Sequence, residues 1–162
     1  MTPRDKDLEP VFEFLLKESV AVIGLGNPDR ADDGVGIVLA SILKTHFPDR
    51  IFLETERHVE QLVLDLIENP NIKTILFVDA VDFGGPGGTI KQFGVEESRR
   101  FMPSVSTHRV PIGFLMHLLT QEGKIAYLIG VQPESLELMG EMSPSVEKTV
   151  SKIAKGIICK LN

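Results

Sequence analysis

The chain has 162 residues, of which 43% are hydrophobic and 25% charged, and its formal net charge is −6. That length supports one domain, residues 1–162, with roughly 70% of the unfolded chain's surface buried, and the acidic balance argues against a nucleic-acid binder, which carries a basic face. The lone Cys159 excludes an intrachain disulfide or a cysteine-based zinc site and fits a reducing, cytoplasmic compartment; no apolar run approaches the ~20 residues of a membrane span, and the opening MTPRDKDLEP is too charged for a signal peptide.

Residues 1–19 read as a helical extension. Val11, Phe12, Phe14, Leu15 and Leu16 form an amphipathic stripe that begins near Glu9–Pro10, since proline suits a first helical turn. The apolar run Val20–Ile23 predicts a first strand, followed by a helix from about Asp33 to Thr45. A turn at Pro48–Arg50 leads to a second strand, Ile51–Leu53, which ends in the polar run Glu54–His58. Val59, Leu62, Val63, Leu66 and Ile67 have helical spacing. Thr74–Val78 is a continuous apolar strand bounded by Asp79, as expected of a central strand covered on both faces. Gly84–Gly88 is a turn, and Thr89–Phe93 a fourth strand. The connection is too short for a crossover helix, so this strand is expected to run antiparallel to a neighbour. A brief helix at Glu96–Met102, a loop at Pro103–Val110, a helix at Pro111–Gln121, a strand at Ile125–Val131 and a helix from Ser143 to Leu161 complete the chain. The alternation predicts a three-layer α/β/α sandwich around a five-stranded, mostly parallel sheet with one antiparallel strand.

The stretch between the first strand and the first long helix carries the clearest chemistry. Gly24 and Gly26 allow a tight turn, and Asp32 and Asp33 follow just before the helix. A dinucleotide fingerprint needs a third glycine where Asp29 stands, and no lysine closes a phosphate loop. Carboxylates at the C-terminal end of a strand suit a cation or a donor-rich substrate better. Taken alone, Asp32 capping the helix and Asp33 complementing its dipole is the commoner use of such a pair. In an open parallel sheet, however, ligands collect beyond the C-terminal strand ends. Asp33, Asp79 and the loop residue His108 fall at that edge from three different elements. Two carboxylates and an imidazole suit a borderline divalent ion such as Ni²⁺ or Zn²⁺. No nucleophile stands out: there is no G-x-S-x-G elbow, no H-E-x-x-H, and Cys159 sits in the last helix, far from any glycine turn.

Several pieces together resemble the [NiFe]-hydrogenase maturation endopeptidases. They are Gly24-Leu-Gly26-Asn27 with Asp32-Asp33-Gly34-Val-Gly36, the strand end Phe77-Val78-Asp79-Ala80, the turn Pro86-Gly87-Gly88-Thr89, Thr107-His108, and Gly130-Val131-Gln132-Pro133-Glu134 with Met142-Ser143-Pro144. They occur in the family's order from about Val20 to Leu161. The resemblance implies a five-stranded α/β/α fold and removal of a C-terminal extension from a [NiFe]-hydrogenase large-subunit precursor after nickel insertion. It implies that Asp33, Asp79 and His108 ligate nickel supplied by that substrate, with Zn²⁺ or a similar ion able to substitute. Asn27, in the glycine motif, and Glu56 and His58, after the second strand, are the expected substrate contacts. The catalytic group is left open. The run Glu54–His58 departs from the family's small Gly-Thr loop, and is expected to influence which large subunit is recognised. No nucleic-acid partner or membrane insertion is expected. Two other readings are a non-catalytic nickel-binding assembly factor, which would keep the same ligands, and a peptidyl-tRNA hydrolase, whose opening resembles Ile23–Pro28. The latter expects a histidine about ten residues after the asparagine, where this chain has Ile37, and a basic face.

Overall fold

A computed structural model describes residues 8–101 and 110–161. Five strands, β1 (Val20–Gly24), β2 (Ile51–Leu53), β3 (Thr74–Ala80), β4 (Ile90–Phe93) and β5 (Ile125–Val131), form one sheet in the order β2-β1-β3-β5-β4. All neighbours are parallel except β4, which runs antiparallel to β5. The antiparallel strand is thus where the sequence places it. Its partner is β5, which lies between β3 and β4, so β4 is an edge strand and not half of a hairpin with β3.

The helices are α1 (Glu9–Leu15), α2 (Val35–Lys44), α3 (Val59–Glu68), α4 (Val95–Phe101), α5 (Ile112–Gln121) and α6 (Pro144–Leu161). Strand residues alternate between the two faces. Val20, Val22, Leu76, Val78 and Ile129 point to a core shared with α1, α2 and α6. Ala21, Ile23, Ile75, Phe77 and Leu128 point to a second core under α3 and α5. Both faces of β1 and β3 are therefore dry, which is why these strands read as unbroken apolar runs.

Helix α1, which precedes β1, is tied down. Val11, Phe12 and Leu15 of α1 are buried, and the Arg50 guanidinium donates to the carbonyl oxygens of Leu15 at 2.8 Å and Val20 at 3.0 Å. The same guanidinium stacks over the Phe47 ring, 4.2 Å from its centroid.

Of the boundaries that differ from the sequence expectation, two are set by long-range contacts. The first helix does not begin at Asp33: a 3₁₀ turn, Ala31–Gly34, precedes α2. Ala31 is held at φ 47°, and the Asp32 amide donates to the Ser135 carbonyl 3.0 Å away. A long-range contact therefore sets the start of the helix. Strand β3 runs two residues past Val78, because β5 offers Gly130 and Val131 as ladder partners for Asp79 and Ala80.

Candidate functional site at the strand switch point

In this strand order the chain moves from β1 outward to β2, then returns to the other side of β1 as β3. The order reverses between β1 and β3, and open α/β sheets bind ligands in the crevice at such a point. Gly24 is in register with Val78, and the Leu25 amide still donates to the Val78 carbonyl at 2.9 Å. The glycine turn after β1 and Asp79 at the end of β3 are consequently neighbours.

Gly26 is the centre of this crevice. It has φ 117°, and a Cβ there would lie 1.9 Å from the Asp33 carbonyl oxygen and 3.3 Å from Asp79 Oδ1. Only glycine lets the turn pass between these groups. Its amide donates to Glu54 Oε2 at 2.8 Å, and the next amide, of Asn27, donates to Asp33 Oδ2 at 3.2 Å. Asp79 is buried, and its Oδ1 accepts from the Ala80 amide at 2.8 Å. Carboxylates from the β1, β2 and β3 loops thus converge on two consecutive residues. Buried or half-buried acids held in this way by backbone N–H groups keep acceptor capacity for a cation or a donor.

Of the expected metal ligands, the structure brings Asp33 and Asp79 to the same glycine, while His108 lies outside the described residues. Among the described residues no group of three histidine, cysteine or acidic side chains is close enough to hold a metal ion. The chain re-enters at Val110, and α5 leads into the start of β5. The N-terminal end of α5 therefore stands at the same, C-terminal, edge of the parallel strands as Gly26.

The expected substrate contacts are exposed. Asn27 Oδ1 accepts from the Asp29 amide at 2.9 Å, closing a local turn. His58 occupies the cap position of α3 without a side-chain capping bond. Glu56 pairs with Lys44 at the far end of α2. It is Glu54, and not Glu56, that reaches the glycine turn. Both acids after β2 stand out in the sequence and Glu56 is the one expected as the contact, but the turn Glu54–Arg57 has no periodicity from which side-chain direction can be read.

Asp32 has a different job from capping its own helix, for it makes no capping bond there. It is fully buried. Its Oδ2 accepts from the amides of Glu134 (2.8 Å) and Ser135 (3.0 Å) and from the Ser143 hydroxyl (2.7 Å), and its Oδ1 accepts from the Ser143 amide (2.7 Å). Burial raises the pKa of this carboxyl. The four hydrogen bonds to its charged form outweigh that effect and leave the pKa below the ordinary aspartate value. Asp32 therefore staples the loop after β5 and the start of α6 to the acidic turn that presents Asp33. A second polar hub lies beside it. Gln132 Oε1 accepts from the amides of Phe83 (2.9 Å) and Gly85 (3.2 Å), while its Nε2 donates to Asp82 Oδ1 at 3.0 Å. That carboxylate, held also by the Gly84 amide, has a lowered pKa for the same reason.

Residues 58–160 match the HycI hydrogenase maturation protease family. The chain belongs to that family. It is 29% identical over 84% of its length to a Methanocaldococcus jannaschii protein named for hydrogenase maturation protease function, covering 89% of that protein. It is 27% identical over 82% of its length to the hydrogenase expression/formation protein HupD of Thiocapsa roseopersicina, and spans 62% of HupD. The fold superposes on the [NiFe] hydrogenase maturation protease HycI of Thermococcus kodakarensis with a TM-score of 0.74 at 25% identity, covering 94% of this chain and 97% of HycI. This family assignment supports the protease reading over the peptidyl-tRNA hydrolase alternative, and Ile37, where that alternative expects a histidine, packs in the core. Among the described residues no helix is long and apolar enough to cross a membrane.

Proposed function

We propose that this protease removes the C-terminal extension of a [NiFe]-hydrogenase large-subunit precursor, in the cytoplasm, once nickel has been inserted. The observation that carries the reading is the meeting of Asp33, in the turn that follows β1, and Asp79, at the end of β3, at Gly26 beside the switch point. In this reading the two carboxylates and His108 complete the coordination of the nickel held by the precursor. The metal then sets the register of the scissile bond, and positioning of that kind is worth several kcal/mol of barrier. Asn27 and the charged turn bearing Glu54, Glu56 and His58 border the crevice and contact the precursor around the metal.

The test is intact mass of nickel-loaded and nickel-free precursor after incubation with the protein, with Asp33→Asn as control. The loaded precursor is expected to lose its extension and the nickel-free one to stay whole. Equal cleavage of both would refute the metal-gated reading. Cleavage of neither, with Ni²⁺ still bound in calorimetry, would leave a non-catalytic nickel-binding assembly factor. Asp79→Ala and His108→Ala proteins should remain folded and bind Ni²⁺ or Zn²⁺ at least tenfold more weakly. Binding by the double variant equal to wild type would remove these residues from the site.

A further inference from the structure

Beside the crevice, the loop from Glu134 to Ser143 packs Met142 against the core but holds two large apolar side chains in water. Leu138 is 68% exposed and Met139 78% exposed. These are not the tips of a loose loop. Asp32 binds the loop at Glu134 and Ser135 on one side and at Ser143 on the other. In between, the Met139 amide donates to the Asp29 carbonyl at 2.6 Å. Met139 is held at φ 60°, and Ala31 on the facing turn at φ 47°. Among the described residues these are the only non-glycine residues with positive φ. Both stand on the two segments that Asp32 joins, and a Cβ at Gly140 would meet the Ala31 methyl at 3.4 Å. Strain concentrated in this way is characteristic of segments whose conformation serves a binding or catalytic task. Here it fixes two apolar side chains in the solvent, next to the turn that carries Asn27 and Asp33.

We propose that Leu138 and Met139 form a docking ledge for an extended apolar segment of the large-subunit precursor that borders its cleavage point. This rests on the maturation reading above and adds to it the surface that takes hold of the substrate. The occupant is a polypeptide with apolar side chains flanked by basic residues. The apolar requirement comes from Leu138 and from Met139, whose flexible thioether adapts to irregular apolar partners. The basic flanks come from charge, because the exposed carboxylates of Glu134, Glu137 and Glu141 lie on the same loop, with Asp29 on the turn beneath it. In a chain of net charge −6, such a rim steers positive segments inward and repels acidic ones. The ledge is hydrogen-bonded to Asp29, on the turn that leads into Asp33, so one extended strand of substrate can touch both.

The experiment compares wild type with Leu138→Ser/Met139→Ser on a nickel-loaded large-subunit precursor that retains its extension. Both side chains are exposed, so the variant should match wild type in melting temperature. It should show a KM raised about tenfold with kcat unchanged, the pattern of lost ground-state binding. A separate Glu137→Gln/Glu141→Gln variant should lose much of the salt dependence of KM. An unchanged KM in the apolar variant, or a fall in kcat alone, would overturn the ledge. Direct binding of the precursor to both proteins separates this inference from the reading beneath it. If wild type binds but does not cut, and the apolar variant binds about tenfold more weakly, the ledge stands and the maturation reading falls. If wild type cuts and the variant binds equally well, the ledge falls and the maturation reading stands.

Discussion

Asp32 and Asp33 are adjacent in sequence and divide their work by direction. Asp33 faces the glycine turn and holds the Asn27 amide. Asp32 turns inward and collects the three amides and one hydroxyl of the loop after β5. Replacing Asp32 by Asn keeps the shape but removes the charge and puts an NH₂ group among donors. Charge-assisted hydrogen bonds contribute ~1.5–3 kcal/mol each, so the Asn variant should be destabilised by about 2–3 kcal/mol at pH 7 in urea unfolding. The pH dependence follows from the lowered pKa. A carboxyl whose pKa is depressed by folding stabilises fully above its unfolded value, about 3.9, and loses that contribution as pH falls through the folded value. The difference between wild type and Asp32→Asn should therefore be constant down to about pH 4 and shrink below it. A difference that persists undiminished at pH 2 would mean that Asp32 acts by shape alone.

Helix α2 sits on the sheet backbone to backbone. A Cβ at Gly36 would lie 2.1 Å from the Val78 carbonyl oxygen and 2.4 Å from that of Leu25. The absence of a side chain there lets α2 approach the ends of β1 and β3, and this approach brings the acidic turn over Asp79. Overpacking a tight site typically costs ~1–3 kcal/mol. Gly36 meets main chain and not a side chain that can swing away, so Gly36→Ala is expected at or above the top of that range. Gly94→Ala, where no atom lies within 4 Å, is the control and should be nearly neutral. Equal urea midpoints for the two variants would show that α2 can lift away from the sheet without cost. The second strand and the polar run after it are an element that sequence periodicity alone could not orient. Glu54 reaches Gly26 while Glu56 turns to Lys44, and only the path of the turn separates them.

At the scale of the whole molecule, helix α1 belongs to the core and not to the crevice. Phe12 lies against Gly156 of α6, and Arg50 fastens the end of α1 to β1. The binding crevice opens at the opposite ends of the strands from where Arg50 holds Val20, the first residue of β1. Deleting residues 1–17 removes the buried side chains of Val11, Phe12 and Leu15, each contributing roughly 1.5–3 kcal/mol by burial, so the melting temperature should drop markedly. Proteolytic activity per folded molecule should change little. A truncated protein of full stability and no activity would place the segment at the substrate interface instead.

Much of this protein is legible in its sequence because its signals are local. The strands show as apolar runs, β2 and β5 at their exact limits, since both faces of a central parallel sheet are dry. The helices show as periodic stripes, and the acids at the strand ends could be assigned to one edge because parallel strands all end there. The Gly24–Gly36 motif and the Asp79, Gly87–Gly88 and Gln132 segments were enough to indicate the family. What only the tertiary structure decided are the relations between distant segments. Strand order, with β5 between β3 and β4, puts the switch point between β1 and β3, and no local pattern encodes that order. The 3₁₀ start of α2, the extension of β3 and the inward turn of Asp32 are each set by partners about 50 to 110 residues away in sequence. A fully buried carboxylate and a half-buried one are the same letter in the chain; which of two neighbouring aspartates becomes the staple and which faces the glycine turn is determined by where the donors of Glu134, Ser135 and Ser143 arrive once the sheet has formed.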